Sequence, residues 1–278
     1  MKKILLFGSQ GLLGQSLFEA ISEKQNRHLI PLSRFNYNLF QKEEILRALD
    51  EHTPDIILNA VAFTDVDAAE HPENENEVFL LNADIPTLLA QESRMRGSFL
   101  IHFSTDFVFS GEEEQYDEQS LPNPINVYGV SKAEGEEGIW ESTENALVIR
   151  TSRLYGRGKE NFVSKMAYLA KRNRPLSALA DEQGNFTFVD DLANRVAEIL
   201  DRDSLPVGTL HLAGKEMASP ADIAREIVRI TNSESVVTET PSDSLQRSAK
   251  RPLHPKLVST RETMLPSFQE ALPRFLEI

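Results

Sequence analysis

Residues 1–14, MKKILLFGSQGLLG, decide how the rest of the chain is read. Ile4, Leu5, Leu6 and Phe7 form the short apolar run of a buried parallel strand. Gly8, Gly11 and Gly14 follow at three-residue steps. Behind them LLGQSLFEAIS has helical spacing, with Leu12, Leu13, Leu17 and Ile21 on one side. In a strand–glycine turn–helix unit, Gly8 permits the tight turn and Gly11 lets backbone approach a pyrophosphate. Gly14 lets the helix pack close to the strand. The pyrophosphate would sit on the free N–H groups at the helix start, with Leu12 as its first residue.

Outward from this unit the chain alternates. HLIPLSR reads as a second strand ending at Ser33 and Arg34, and KEEILRALDEH as an amphipathic helix. DIILNAVA reads as a third strand, whose end (Asn59, Ala60, Ala62) is small enough to lie against a nucleotide. A loop and a long helix through Asn82 follow, then a fourth strand, SFLIHFSTDFVFSG, with a polar C-terminal end. Next come an acidic loop in which Glu112, Glu113 and Glu114 read as a solvated turn, the helix YGVSKAEGEEGIWESTE and the strand ALVIRTSRLYG. This alternation predicts an α/β fold, a Rossmann-like doubly wound parallel sheet, with a smaller interleaved C-terminal substrate lobe. The expected division is 1–154 for the dinucleotide-binding domain, with 185–205 returning to it, and 155–278 mainly for the lobe. In the lobe SPADIAREIVRIT is a helix with Ser219 as N-cap, Pro220 in the first turn and Asp222 beside it.

The 278 residues carry 43 acids against 29 Lys and Arg, a net charge of −14. That argues against nucleic acid or an anionic membrane as a partner, because both need basic surface. It also means that an anionic ligand must be met by locally placed donors. With no cysteine, disulfides, thiolate catalysis and cysteine–zinc sites are excluded, which fits a cytoplasmic protein. The apolar run after Lys2 and Lys3 is too short for a signal peptide and leads into the glycine turn. The strand end at Ser33 and Arg34 has no acid to bind an adenosine 2′-hydroxyl, and a basic residue there suits a 2′-phosphate. The expected cofactor is therefore NADPH, with NADH as the alternative.

Tyr128 and Lys132 stand four apart on one helix face, a pairing that serves proton transfer coupled to hydride transfer. A free tyrosine, with a pKa of about 10, is a poor acid–base group at neutral pH. An ammonium alongside would stabilise the phenolate, lower that pKa, and could hold the nicotinamide ribose. Tyr155 and Lys159 share the spacing, but the two glycines of YGRGKEN break the helix that would make them converge. Ser104, Thr105 and Asp106 end the fourth strand, where a hydroxyl can donate to a substrate carbonyl oxygen.

The order GSQGLLG, NAVAFTDVDAAE, LLNAD, HFSTDFVFSG, NPINVYGVSKAEGE, VIRTSRLYG and NFV resembles the dTDP-4-dehydrorhamnose reductase family, within the extended short-chain dehydrogenase/reductases. The likeness weakens after Leu179 and resumes at RPLHPKLVSTR. It implies reduction of the 4-keto group of dTDP-4-dehydro-L-rhamnose by a nicotinamide cofactor. Tyr128 would be the proton donor, Lys132 its tuner and ribose ligand, and Thr105 the catalytic hydroxyl with Asp106 beside it. Gly8, Gly11, Leu12, Gly14, Ser33, Arg34, Asn59, Ala60, Ala62 and Asn82 would line the cofactor. Thr64, Asp65, Val66, Ser104, Arg153 and Asn161 would face a nucleotide-sugar substrate.

The chain departs from the family at Arg153, where the pattern carries tryptophan, and at Glu182 and Phe186, where it has glutamine and proline. Asn38 stands where many relatives place an aspartate. Ser16 replaces the carboxylate through which some members bind a divalent ion at a dimer interface, so no metal is expected. A homodimer remains a possible assembly. Two other readings keep the fold: a non-catalytic NADP-binding regulatory subunit resembling the methionine adenosyltransferase beta subunit, and a reductase of a different keto-sugar.

Overall fold

A computed structural model describes residues 2–23, 27–33 and 35–277. In chain order the first half runs β1 (Lys2–Phe7), α1 (Leu12–Ser22), β2 (Arg27–Pro31), α2 (Lys42–His52), β3 (Ile56–Asn59), α3 (Glu75–Phe79), α4 (Ile85–Arg96), β4 (Phe99–Thr105), α5 (Val127–Ser142) and β5 (Ala146–Thr151). The second half runs β6 (Leu154–Tyr155), α6 (Phe162–Ala170), β7 (Leu176–Leu179), β8 (Gly184–Asn185), β9 (Thr187–Phe188), α7 (Val189–Leu200), β10 (Gly208–His211), β11 (Met217–Ala218), α8 (Pro220–Ile230), β12 (Val237–Thr240) and α9 (Phe268–Leu276).

Six strands form one parallel sheet in the order β10-β5-β4-β3-β1-β2. The order reverses between β1 and β3, which opens a crevice beyond their C-terminal ends, the place where open α/β sheets bind ligands. β1, β3, β4 and β5 are apolar on both faces, as strands covered by helices on both sides must be. On one face Ile4, Leu6, Leu58, Ile101 and Phe103 pack under α1 and α7. On the other Leu5, Ile57, Leu100 and Val148 pack under α2, α4 and α5.

The expected doubly wound sheet is therefore present. The return of the chain to it does not stop at 205: β10 pairs with β5, Gly208 against Leu147 through His211 against Arg150, and forms the edge of the sheet. The lobe has its own core, in which Tyr155, Phe186, Phe188, Ile223, Leu272 and Phe275 pack among α6, α8 and α9. Its helix α8 starts as the sequence suggests, in a capping box: Ser219 Oγ accepts from Asp222 N at 3.1 Å and Ser219 N donates back to Asp222 at 2.8 Å. The helix through Asn82 is not continuous α-helix. A π-helical turn, Leu80–Asp84, joins α3 to α4 and widens the backbone around that asparagine.

Candidate active site

At the crevice, Gly8 has a φ of +80° and Gly14 packs so closely that a Cβ there would stand 2.1 Å from the Gly8 carbonyl oxygen. Gly11 is the N-cap of α1; it supplies no side-chain cap and the first turn holds no acid. The first N–H groups of α1 are thus left for a ligand, and Gly11 and Leu12 open onto a cavity of about 460 Å³. A dinucleotide pyrophosphate fits this cradle. Ala60, Ala62, Thr64 and Val66 wall the same cavity, and Thr105, Asp106, Tyr128, Lys132 and Arg153 line it with them.

β4 and α5 set those central groups. Alternation sends Phe99, Ile101 and Phe103 of β4 to the α1 side, and Leu100, His102 and Ser104 towards α5. On α5, Tyr128, Lys132 and Glu136 repeat every four residues on one face. Glu136 accepts from Ser104 and from Arg150 of β5, with Arg150 Nη2 at 2.5 Å and Nε at 3.0 Å. Lys132 Nζ donates to the Phe103 carbonyl oxygen at 2.7 Å and stands 3.0 Å from His102 Nε2.

The Tyr128 phenol lies by Thr105, and burial pushes it up to about 12, with the Thr105 hydrogen bond acting the other way. From the four-residue spacing, Lys132 is expected to lower it. The structure differs because the lysine reaches past the phenol to β4, where burial brings its ammonium down to about 8. A phenol so placed keeps its proton at neutral pH, as a donor requires. Thr105 Oγ1 donates to Asp106 at 3.1 Å, and Ser152 donates to the other carboxylate oxygen at 2.6 Å. Burial raises Asp106, while the hydrogen bond from Ser152 and the charge of Arg153 oppose the rise.

Several residues expected to face ligands have their side chains committed elsewhere. Ser104 donates to Glu136. Asn59 bridges Val61 N and His102. Asn82 clasps both backbone groups of Phe63 and donates to Ser131, so it fixes the loop that carries Thr64 and Val66. Asn161 caps α6. Asp65 caps the turn at Ala68, and Ser33 accepts from Phe35 N. Arg34 lies outside the described residues. Ser16 donates to Asp190 at 2.8 Å.

Arg153 is held at a φ of +42°, with Nη2 donating to the Gln183 carbonyl oxygen at 3.2 Å and its guanidinium carbon 5.5 Å from the Phe186 ring centroid. Its Nε is buried without a partner among the described residues. Arg153 and Leu154 are also part of the wall of a second cavity, of about 420 Å³, reaching Phe162, Phe186 and Arg247 in the lobe. Tyr155 and Lys159 do not converge: Tyr155 stacks on Phe188 in the lobe core, while Lys159 is exposed at the cleft mouth. Sequence reasoning missed His102, whose one signal is a polar residue inside the apolar run FLIHF.

The clasp between Asp67 and Arg251 ties the loop after β3 to the C-terminal segment, with bonds of 2.6 and 2.8 Å. Arg251 holds the Asp67 carboxyl down at about 2. A depressed carboxyl gives stability that is present above its unfolded pKa of about 4 and lost as pH falls through its folded value. Wild type should therefore exceed Asp67→Asn in urea midpoint above pH 4, and the gap should close between about pH 4 and 2. Because the pair is partly exposed, the gap should be modest, about 1 kcal/mol or less.

This fold and cleft define the class: an NAD(P)H-dependent oxidoreductase with a Rossmann-like, extended short-chain dehydrogenase/reductase fold. The family model described as "RmlD substrate binding domain" matches residues 1–278, and the chain belongs to that family. It is 34% identical over 263 residues to a dTDP-4-dehydrorhamnose reductase of Sinorhizobium fredii, covering 89% of this chain and 88% of the relative. A crystal structure of dTDP-4-dehydrorhamnose reductase from Bacillus anthracis in complex with NADP superposes with a TM-score of 0.92 at 29% identity, covering 99% of both chains. The chain is also 29% identical over 275 residues to methionine adenosyltransferase 2 subunit beta of Bos taurus, covering 94% of this chain and 81% of that one. No helix among the described residues is long and apolar enough to cross a membrane.

Proposed function

We propose that the protein uses NADPH to reduce the 4-keto group of dTDP-4-dehydro-L-rhamnose, yielding dTDP-L-rhamnose. The observation that carries the reading is a single cavity lined together by the glycine cradle, Thr105, Tyr128, Lys132 and Arg153. Leu12 and Leu13 present the first N–H groups of α1 to the pyrophosphate beside Gly11, and Lys132 holds the nicotinamide ribose. When bound, the cofactor supplies a hydride to C4 of the sugar. Tyr128 gives its proton to the C4 oxygen, and Thr105 holds that oxygen while charge develops on it.

The second cavity suits the nucleoside end of the substrate. Its wall is largely apolar; Arg247 there is paired with buried Glu182, and Arg153, whose Nε has no partner among the described residues, supplies the local positive charge that an acidic chain must bring to a diphosphate. A regulatory-subunit role has less support, because it gives no reason for a hydroxyl, a phenol and a lysine to share one cleft. Two copies assembling as a homodimer are compatible with this reading.

The test is a panel of dTDP- and UDP-linked 4-keto sugars assayed with NADPH and NADH. The expected result is oxidation of NADPH fastest with dTDP-4-dehydro-L-rhamnose. Faster turnover of another sugar would change the substrate, and no turnover of any keto-sugar would remove the reductase reading.

A further inference from the structure

Beneath the cleft runs a line of buried side chains that ends at Lys132 and whose other members the reaction as written does not use. Asn59 on β3 lies directly opposite His102 on β4 in the sheet register. Asn59 and His102 are fully buried, and Lys132 is 1% exposed. Asn59 Nδ2 is 3.1 Å from His102 Nδ1, and His102 Nε2 is 3.0 Å from Lys132 Nζ.

Counting protons along this line settles who donates. The Val61 backbone N–H can only donate, and it does so to Asn59 Oδ1 at 3.1 Å. The amide therefore turns its NH₂ towards His102, whose Nδ1 must accept. The imidazole proton then sits on Nε2 and points at Lys132 Nζ. An ammonium has no lone pair to receive it, whereas an amine has one. The amine keeps two N–H groups, one for the Phe103 carbonyl oxygen and one for the cleft.

We propose that His102 is a positioning residue that holds Lys132 uncharged in the ligand-free protein, and that Lys132 takes up one proton when NADPH binds. The inference rests on reading the cleft as an NADPH site. Burial already disfavours charge on both partners, bringing Lys132 down to about 8 and His102 well below its usual range. A donor aimed at the lysine lone pair favours the amine further. The charged groups facing this nitrogen are few. Glu136 on α5 favours the ammonium but is paired with Arg150 of β5, and Asn59 on β3 is uncharged. An anionic cofactor filling the cleft shifts the balance to the ammonium.

The proton balance then closes. The Tyr128 O–H bond breaks as the hydroxyl forms on the sugar. A solvent proton re-forms the phenol, and the lysine ammonium, which is held at β4 away from the phenol, returns its proton to solvent as the oxidised cofactor leaves, whereupon His102 again holds the amine. Solvent supplies the next proton when NADPH binds, so each turnover consumes one hydride and one proton.

Two measurements test this. Nitrogen-15 spectra of histidine-labelled protein at pH 7 and 8, with His102 assigned through His102→Gln, should show its proton on Nε2. A proton on Nδ1, or an imidazolium, would overturn the proposal. Titration calorimetry of NADPH at pH 8 in buffers of different ionisation enthalpy counts protons, above the range where a phosphate itself titrates, about 6. Wild type should take up about half a proton or more per NADPH. His102→Gln, which keeps a donor, should retain most of that uptake, and His102→Leu should lose most of it. NADPH binding without uptake in wild type, or equal uptake in His102→Leu, would overturn the coupling while leaving the cofactor assignment standing. Failure of NADPH to bind at all would overturn both. If His102→Leu does not fold, the wild-type spectrum and proton count decide.

Discussion

Tyr128→Phe is expected to lower kcat by about 10²–10⁴-fold, the usual worth of a positioned general acid, with little change in NADPH affinity. The variant removes one oxygen and leaves the ring, which packs edge-on to Phe107 with centroids 5.6 Å apart. Stability should therefore barely move. Burial pushes the phenol up to about 12, so in wild type the acid stays loaded across the neutral range. A loss below tenfold would mean that the proton reaches the sugar from elsewhere, with water admitted to the cleft as the first suspect.

The second large effect is on folding. Arg150→Met should destabilise the protein by about 3–5 kcal/mol, because it leaves Glu136 charged and unpaired inside the sheet–helix interface. Glu136 and Arg150 are both nearly fully buried, joined by bonds of 2.5, 3.0 and 3.1 Å, with Arg150 also stacked over Phe109 at 5.0 Å. Adding Glu136→Gln to Arg150→Met should recover part of the loss, since the stranded charge is then gone. Urea unfolding of the two single variants and the double variant measures this as a coupling energy. If Arg150→Met cost no more than an exposed substitution, the pair would not be holding α5 against β4 and β5. The placement of Tyr128 and Lys132 would then need another cause.

Local chemistry was the legible part of this sequence. Gly8 and Gly14 announce the turn because only glycine fits there, and the four-residue step from Tyr128 to Lys132 survives folding because both lie on one helix. The capping box at Ser219 is local in the same way. What stayed hidden depends on register and on what lies across the sheet. His102 meets Lys132 only because β4 pairs with β3 and α5 covers that face. The same contact draws the lysine away from the phenol, which spacing alone does not reveal.

Asn59, Asn82 and Asn161 all stand beside the cleft in sequence, yet each spends its amide on backbone and, for Asn59 and Asn82, on a neighbouring side chain. An asparagine near a strand end or helix start serves a turn as readily as a ligand. The edge strand β10 falls in the expected lobe because four residues carry no sign of which sheet they will join. Arg153, at its left-handed φ, marks the bend between sheet and lobe that no periodicity signals.

The proposed reaction is reduction of a ketone by hydride from a nicotinamide, in a cleft that holds a phenol, a hydroxyl and a lysine. Its most direct test uses NADPH deuterated at the transferring position with dTDP-4-dehydro-L-rhamnose, the product being read by proton NMR. One deuterium at C4 of the sugar is expected in every product molecule, with almost no labelled product from Tyr128→Phe in the same time. NADPH that binds yet leaves the sugar unlabelled, or label arriving equally fast without the phenol, would contradict it.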